Sequence, residues 1–210
     1  MITPYRHISF DLDGTLVRTL ASYRHQLVPD VIQRCGGSAD SLSIDRFWFE
    51  GNRSEIIANE FQVDPERFWK IFNELDTVER RMPHTSVYDD VIVTIQRIKS
   101  LGKTVSIITG SPPWIGEMEI KKLENVTIDH VCFARSEGGY PRKPSPESMH
   151  AVLCAVGHVA KETLYIGNGQ EDAEFAKAAG CDFVMIDRNE YRFSDRESSP
   201  TISSLERLFV

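Results

Sequence analysis

Five short apolar runs, rich in β-branched and aromatic residues and each closed by turn residues, punctuate the chain: YRHISF (5–10), KTVSII (103–108), DHVCFA (129–134), TLYIG (163–167) and CDFVMI (181–186). They predict β-strands. Between the later four the pattern shifts to helical period. DDVIVTIQRIKSLG places Val91, Ile95, Ile98 and Leu101 on one face and stops at Gly102, while SPESMHAVLCAVG offers Ser145 as N-cap, Pro146 as first helical residue and Gly157 as terminator. Strand then helix, repeated, predicts an α/β fold: a three-layer, Rossmann-like parallel five-stranded sheet with helices on both faces.

The first strand breaks the rule. From about Val17 to His84 the chain has no run of strand character, and instead shows helical stretches with charged faces: LASYRHQLVPDVIQRC, SIDRFWFEGNRSEIIANEF and DPERFWKIFNELDTVERRM. An insertion of this size predicts an α-helical cap domain over 18–84, set into a core domain formed by 1–17 and 85–210. Pro29 is expected to interrupt the first cap helix. Phe47, Trp48 and Trp69 are expected to pack the cap interior. The polar tail SDRESSPTISSLERL ends amphipathically and predicts a closing helix.

Composition narrows the function. The 210 residues, 41% hydrophobic and 26% charged, suit a globular chain with a real core, and no apolar run nears the roughly 20 residues of a membrane span. A formal charge of −7 argues against general affinity for nucleic acid. Neither nucleic acid nor membrane is an expected partner. The start, MITPYRHISF, has no apolar signal core, and Cys35, Cys132, Cys154 and Cys181 lack C-x-x-C spacing. Reduced thiols, packed as small hydrophobes, and a cytoplasmic location are expected; the oligomeric state is not legible.

Chemistry concentrates in FDLDGTL (10–16). If 5–10 is a central parallel strand, Asp11 and Asp13 follow its carboxyl end, where open α/β sheets bind ligands. Two carboxylates so placed repel each other unless a cation lies between them. Magnesium is the usual choice where a phosphate adds further oxygens, and Gly14 lets the chain turn close to such a ligand. A calcium loop starting at Asp11 is set aside, because it needs glycine and glutamate where Leu16 and Ser22 stand.

FDLDGTL resembles the first signature of the haloacid dehalogenase-like phosphohydrolases, and partial matches to the other signatures follow in order. SIITGS puts Thr109, backed by Gly110 and Ser111, at the family's phosphate-binding threonine or serine. RKPSPES carries K-P-x-P and places Lys143 as the phosphate-binding, charge-balancing lysine. YIGNGQED is similar to G-D-x-x-x-D, with Gly167 and Asp172 matching and Asn168 in place of the first aspartate. The resemblance runs from Phe10 to Asp172. It implies a magnesium-dependent phosphatase acting on a small phosphorylated metabolite. Asp11 would be the nucleophile that forms an aspartyl-phosphate, Asp13 the general acid and base, Thr109, Gly110 and Lys143 the phosphate site, and Asp11, Asp13, Asn168 and Asp172 the Mg2+ ligands.

The insertion is similar to the helical caps of phosphoglycolate phosphatase-like and phosphoglucomutase-like relatives, which implies substrate contacts from Arg18, Arg24, His25, Asn52 and Arg53. Arginines there suit a substrate with a second anionic group, of phosphoglycolate or sugar phosphate type. Two alternatives stay open. One is a phosphomutase of the same family; the other is a catalytically weak protein that binds a phosphorylated ligand or a partner, supported by Asn168 alone.

Overall fold

The computed structural model describes residues 1–192 and 199–210, so the first part of the polar tail lies outside the described residues. The elements run β1 (His7–Phe10), β2 (Val17–Thr19), α1 (Ala21–Cys35), α2 (Ser41–Phe49), α3 (Arg53–Asn59), α4 (Pro65–Leu75), α5 (Val78–Arg81), β3 (Thr85–Val87), α6 (Val91–Ser100), β4 (Thr104–Thr109), α7 (Pro113–Lys121), β5 (His130–Phe133), α8 (Glu147–Val156), β6 (Thr163–Gly167), α9 (Gln170–Ala179), β7 (Asp182–Ile186) and β8 (Thr201–Ile202). The chain divides into two compact units, Met1–Arg18 with Ser86–Val210, and Thr19–Thr85. The pair β2 and β3 forms a two-stranded ladder where the chain passes from one unit to the other.

In the first unit the sheet order is β5-β4-β1-β6-β7-β8, parallel throughout. All five expected strands are present, and two residues from the tail add a sixth at the edge. Alternation divides the faces. Ile8 and Phe10 of β1, Val105 and Ile107 of β4, and Leu164 and Ile166 of β6 share one core with α6 residues Val91, Ile95 and Ile98. On the opposite face Ile108, Tyr165 and Cys132 pack with Met149, Val152 and Phe175 from α8 and α9. Phe10 is in register with both Ile107 and Ile166, so the carboxyl ends of β4, β1 and β6 lie side by side. That edge carries the site.

Some local expectations shift. Leu101 is 55% exposed, because α6 ends at Ser100 and the chain reverses through Gly102 at φ +72°. Pro146, rather than Ser145, caps α8. The tail closes as a short 3-10 turn, Leu205–Phe209, with Leu205 and Leu208 buried. Two cysteines are buried, Cys132 and Cys181, whereas Cys35 is half-buried and Cys154 exposed; none of the four is bonded to another.

The second unit is helical. Its core joins Tyr23, Leu27, Val28, Val31 and Ile32 of α1 to Phe47, Ile56, Ile57, Phe61, Phe68 and Phe72, with Trp48 and Trp69 packed against them. Phe47 is its hub, with ring centroids of Phe68 at 5.1 Å and of Phe61 and Trp69 at 5.6 Å. Pro29 does not interrupt α1, which runs unbroken from Ala21 to Cys35. The burial of Leu27, Val28, Val31 and Ile32 around Pro29 outweighs the loss of one N–H donor.

Candidate active site

The Asp11 loop is pinned by its apolar members. Leu12, Leu16 and Val17 are buried, and the N–H groups of Thr15, Leu16 and Val17 all converge on the Leu12 carbonyl at 3.2, 2.8 and 3.0 Å. Asp11 N–H donates to Ile166 O at 2.8 Å, extending the ladder one residue past the strand. The turn therefore presents Asp11 at the sheet edge and leaves Asp13 half-buried beyond it.

Lys143 reaches this edge from the loop before α8. Its ammonium donates to Asp11 Oδ1 at 2.7 Å, Asp172 Oδ1 at 2.7 Å and the Tyr165 hydroxyl at 3.1 Å, which accounts for its three protons. Burial works against the Lys143 charge, but Asp11 and Asp172 outweigh it and raise the amine well above its usual pKa. Burial also pushes the Asp11 carboxyl up to about 7, with Lys143 pulling the other way. Thr15 Oγ1 donates to the second Asp11 oxygen, Oδ2, at 3.3 Å.

Asp172 is brought to the site, but its carboxylate is already filled. Oδ1 accepts from Lys143 and, at 3.1 Å, from Tyr165; Oδ2 accepts from the N–H groups of Asn168 and Gly169 at 3.1 and 3.2 Å. Four donors occupy the four lone-pair directions of a carboxylate. In this arrangement Asp172 orients Lys143 and fixes the start of α9, with no lone pair left for a cation. Gly167 makes it possible, since a Cβ there would meet the Asp172 carboxyl carbon at 2.4 Å.

Asn168 lies against the Asp11 loop. Gly14, at φ +80°, has no Cβ; one placed there would stand 2.1 Å from Asn168 Nδ2. The amide is thus seated beside the turn that carries Asp13. Among the described residues no group of three or more His, Cys, Asp and Glu side chains gathers as a metal centre. A cation here would have to draw on Asp11, Asp13 and the Asn168 amide oxygen.

At the end of β4, Thr109 Oγ1 accepts the Ser111 N–H at 3.0 Å, a local turn that folds Gly110 outward. Arg135 donates to the Gly110 carbonyl at 3.3 Å while Glu137 holds its other face at 3.0 Å. The other expected contacts have protein partners of their own. Arg18 donates to Ser86 Oγ at 3.0 Å and faces the Tyr88 ring. Within the helical unit, Arg24 and His25 both engage Asp45, at 2.6 and 3.0 Å. Arg53 donates to the Phe47 and Trp48 carbonyls at 3.2 and 3.4 Å, closing the end of α2, and Asn52 directly precedes α3 without a side-chain capping bond.

Tyr165 and Thr15 join the site without having been singled out by sequence. Signals for both exist. Tyr165 is the polar-tipped residue in TLYIG, and strand alternation puts it on the face of Gly167; Thr15 stands inside the signature itself.

The family model of the haloacid dehalogenase-like hydrolases matches residues 8–186. The chain belongs to that family. The resemblance read from FDLDGTL and the later signatures is borne out. A phosphoglycolate phosphatase of Mesorhizobium japonicum is 29% identical over 97% of this chain and 92% of its own length. Among solved structures, a HAD phosphatase from Thermococcus onnurineus matches with TM-score 0.66 and 25% identity over 97% of this chain and 95% of that one. A HAD family hydrolase from Deinococcus radiodurans matches with TM-score 0.74 and 18% identity, covering 98% and 93%. Among the described residues no helix is long and apolar enough to cross a membrane.

Proposed function

We propose that this haloacid dehalogenase-like hydrolase is a phosphatase for a small phosphomonoester. The observation that carries the reading is the Lys143 ammonium held 2.7 Å from Asp11 at the carboxyl edge of a parallel sheet, with Asp13 on the same turn. A carboxylate so placed is oriented for attack and kept from full charge repulsion. The phosphatases among the similar proteins support the same class.

Asp11 Oδ attacks phosphorus, forming an acyl phosphate as the ester oxygen departs. Asp13 gives that oxygen a proton and later takes one from the water that cleaves the acyl phosphate, returning Asp11. Thr109 and the Gly110 N–H hold the phosphoryl oxygens, with the Lys143 charge beside Asp11 offsetting their negative charge, and such fixed groups supply most of the rate in phosphoryl transfer. Asp11, Asp13 and the Asn168 amide oxygen would hold magnesium, which supplies charge neutralisation for the carboxylates and the phosphoryl group when bound. Asp172 acts through Lys143.

Arg18 directly follows the catalytic turn and is exposed, so it is the candidate for a second anionic group on the substrate. A carboxylated phosphomonoester such as phosphoglycolate, or a sugar phosphate, fits. The test is release of inorganic phosphate from a panel of such esters with and without magnesium. Magnesium-dependent release supports the reading; retention of phosphate on every ester overturns it.

A further inference from the structure

We propose that Arg188 is a positioning residue for the Asp11 loop: from the segment after β7 its guanidinium grips the Thr15 carbonyl and, through Thr15, sets the nucleophile's carboxylate. This rests on the reading of Asp11 as nucleophile. Arg188 Nε and Nη2 both donate to Thr15 O, at 3.2 and 2.6 Å. Its Nη1 meets both oxygens of Asp90, at 3.0 and 2.8 Å. The guanidinium carbon lies 4.0 Å from the centre of the Tyr88 ring, and only 8% of the side chain is exposed. Three partners in three directions leave the planar group one orientation.

The anchor is itself held. Asp90, just ahead of α6, also accepts from Ser204 Oγ at 3.0 Å and Leu205 N–H at 2.8 Å, which ties it to the C-terminal turn. From Asp90 the connection passes through Arg188 to the Thr15 backbone, and from the Thr15 hydroxyl to Asp11 Oδ2. Asp11 Oδ1 is fixed by Lys143. The two carboxylate oxygens therefore take their positions from two independent supports, one of which comes from a side chain 173 residues beyond Thr15. Thr15 is fully buried, with its carbonyl covered by the guanidinium rather than by solvent.

A lysine at 188 keeps the charge beside Asp90, but a single ammonium cannot bracket a carboxylate and grip a carbonyl with a second pair of donors. Steady-state kinetics on a phosphomonoester, and hydrogen exchange of peptides covering residues 10–17 and 104–109, should be measured for wild type, Arg188→Lys and Arg188→Gln. The expected result for Arg188→Lys is kcat lower by about 10- to 100-fold with KM within about threefold, since a small misplacement of a reacting group has this effect. Exchange should quicken over 10–17 and stay unchanged over 104–109. Arg188→Gln should show the same pattern, larger. Unchanged kcat, unchanged exchange at 10–17, or a uniform rise across both peptides overturns the proposal. Asp11→Asn, run alongside, separates the two claims. If it keeps turnover the nucleophile reading falls, whereas the exchange of the 10–17 peptide still reports whether Arg188 holds the loop.

Discussion

Lys143 Nζ stands 2.7 Å from Asp11 Oδ1, across 132 residues of chain. The same ammonium bonds Asp172, so one cation offsets two buried carboxylates. Lys143→Ala should leave both unpaired, lowering stability by about 3–5 kcal/mol and turnover by at least about 100-fold. Arg142→Ala, one residue earlier at an exposed position, should do little. Thermal melts and phosphate release on both variants check this; equal losses would show that K-P-x-P does not single out Lys143.

Asp11→Asn and Asp13→Asn should fail differently. The first replaces the nucleophilic carboxylate with an amide, so turnover should vanish while the melt stays close to that of wild type. Asp13→Asn removes the proton donor and acceptor. An ester with a good leaving group, such as an aryl phosphate, should still give a burst of phenol followed by slow release of phosphate. Full steady-state activity in either variant would remove it from its assigned role.

Asp11, Asp13, Thr109 and Lys143 are legible in the sequence because each sits in a short signature, two of them, Asp11 and Thr109, directly after β-branched or aromatic runs that mark the strand ends. Tyr165 is not, since a tyrosine in a strand looks like any core aromatic until its hydroxyl is seen against Lys143. Arg188 is hidden more deeply. Its main target is the backbone carbonyl of Thr15, and no side-chain pattern records a bond to backbone. Pro29 misleads for the opposite reason, because local helix propensity yields to the packing of Leu27, Val28, Val31 and Ile32. Asn168 shows as a departure from the signature, but the glycine that seats it, Gly14, can be paired with it only in three dimensions.

His7 predicts an acid limb to the stability curve. It is fully buried in β1, with Nδ1 2.7 Å from Thr104 Oγ1 and Nε2 2.9 Å from Ser106 Oγ. Burial, helped by His158 stacked at 5.7 Å and against the opposing charge of Asp129, lowers its pKa to about 4. The unfolded imidazole takes a proton near pH 6.5, whereas the native one resists until about 4. Between these values the unfolded state binds more protons, so stability must fall as pH falls, by up to about 3 kcal/mol from this group. His7→Gln should flatten that difference. Urea melts from pH 7.5 to 4 on both proteins test it, and parallel curves would assign the acid limb to other groups.

The sharpest test concerns Asn168, which stands where the family signature has an aspartate. Its amide oxygen can ligate a hard cation but brings no charge. The Asp172 carboxylate is already engaged by Lys143, Tyr165 and two backbone N–H groups. Wild type should therefore need about tenfold more magnesium for half-maximal turnover than Asn168→Asp, reflecting one added ligand charge. Asp172→Ala should behave differently, losing turnover even at saturating magnesium because Lys143 loses its second carboxylate. Asn168 precedes Gly169, a pair prone to deamidate, and aged wild-type protein would drift toward the Asn168→Asp behaviour; intact mass on the titrated sample guards against that. If Asn168→Asp leaves the magnesium requirement unchanged, Asn168 is no ligand. If Asp172→Ala recovers full turnover at high magnesium, its carboxylate serves the metal and not Lys143.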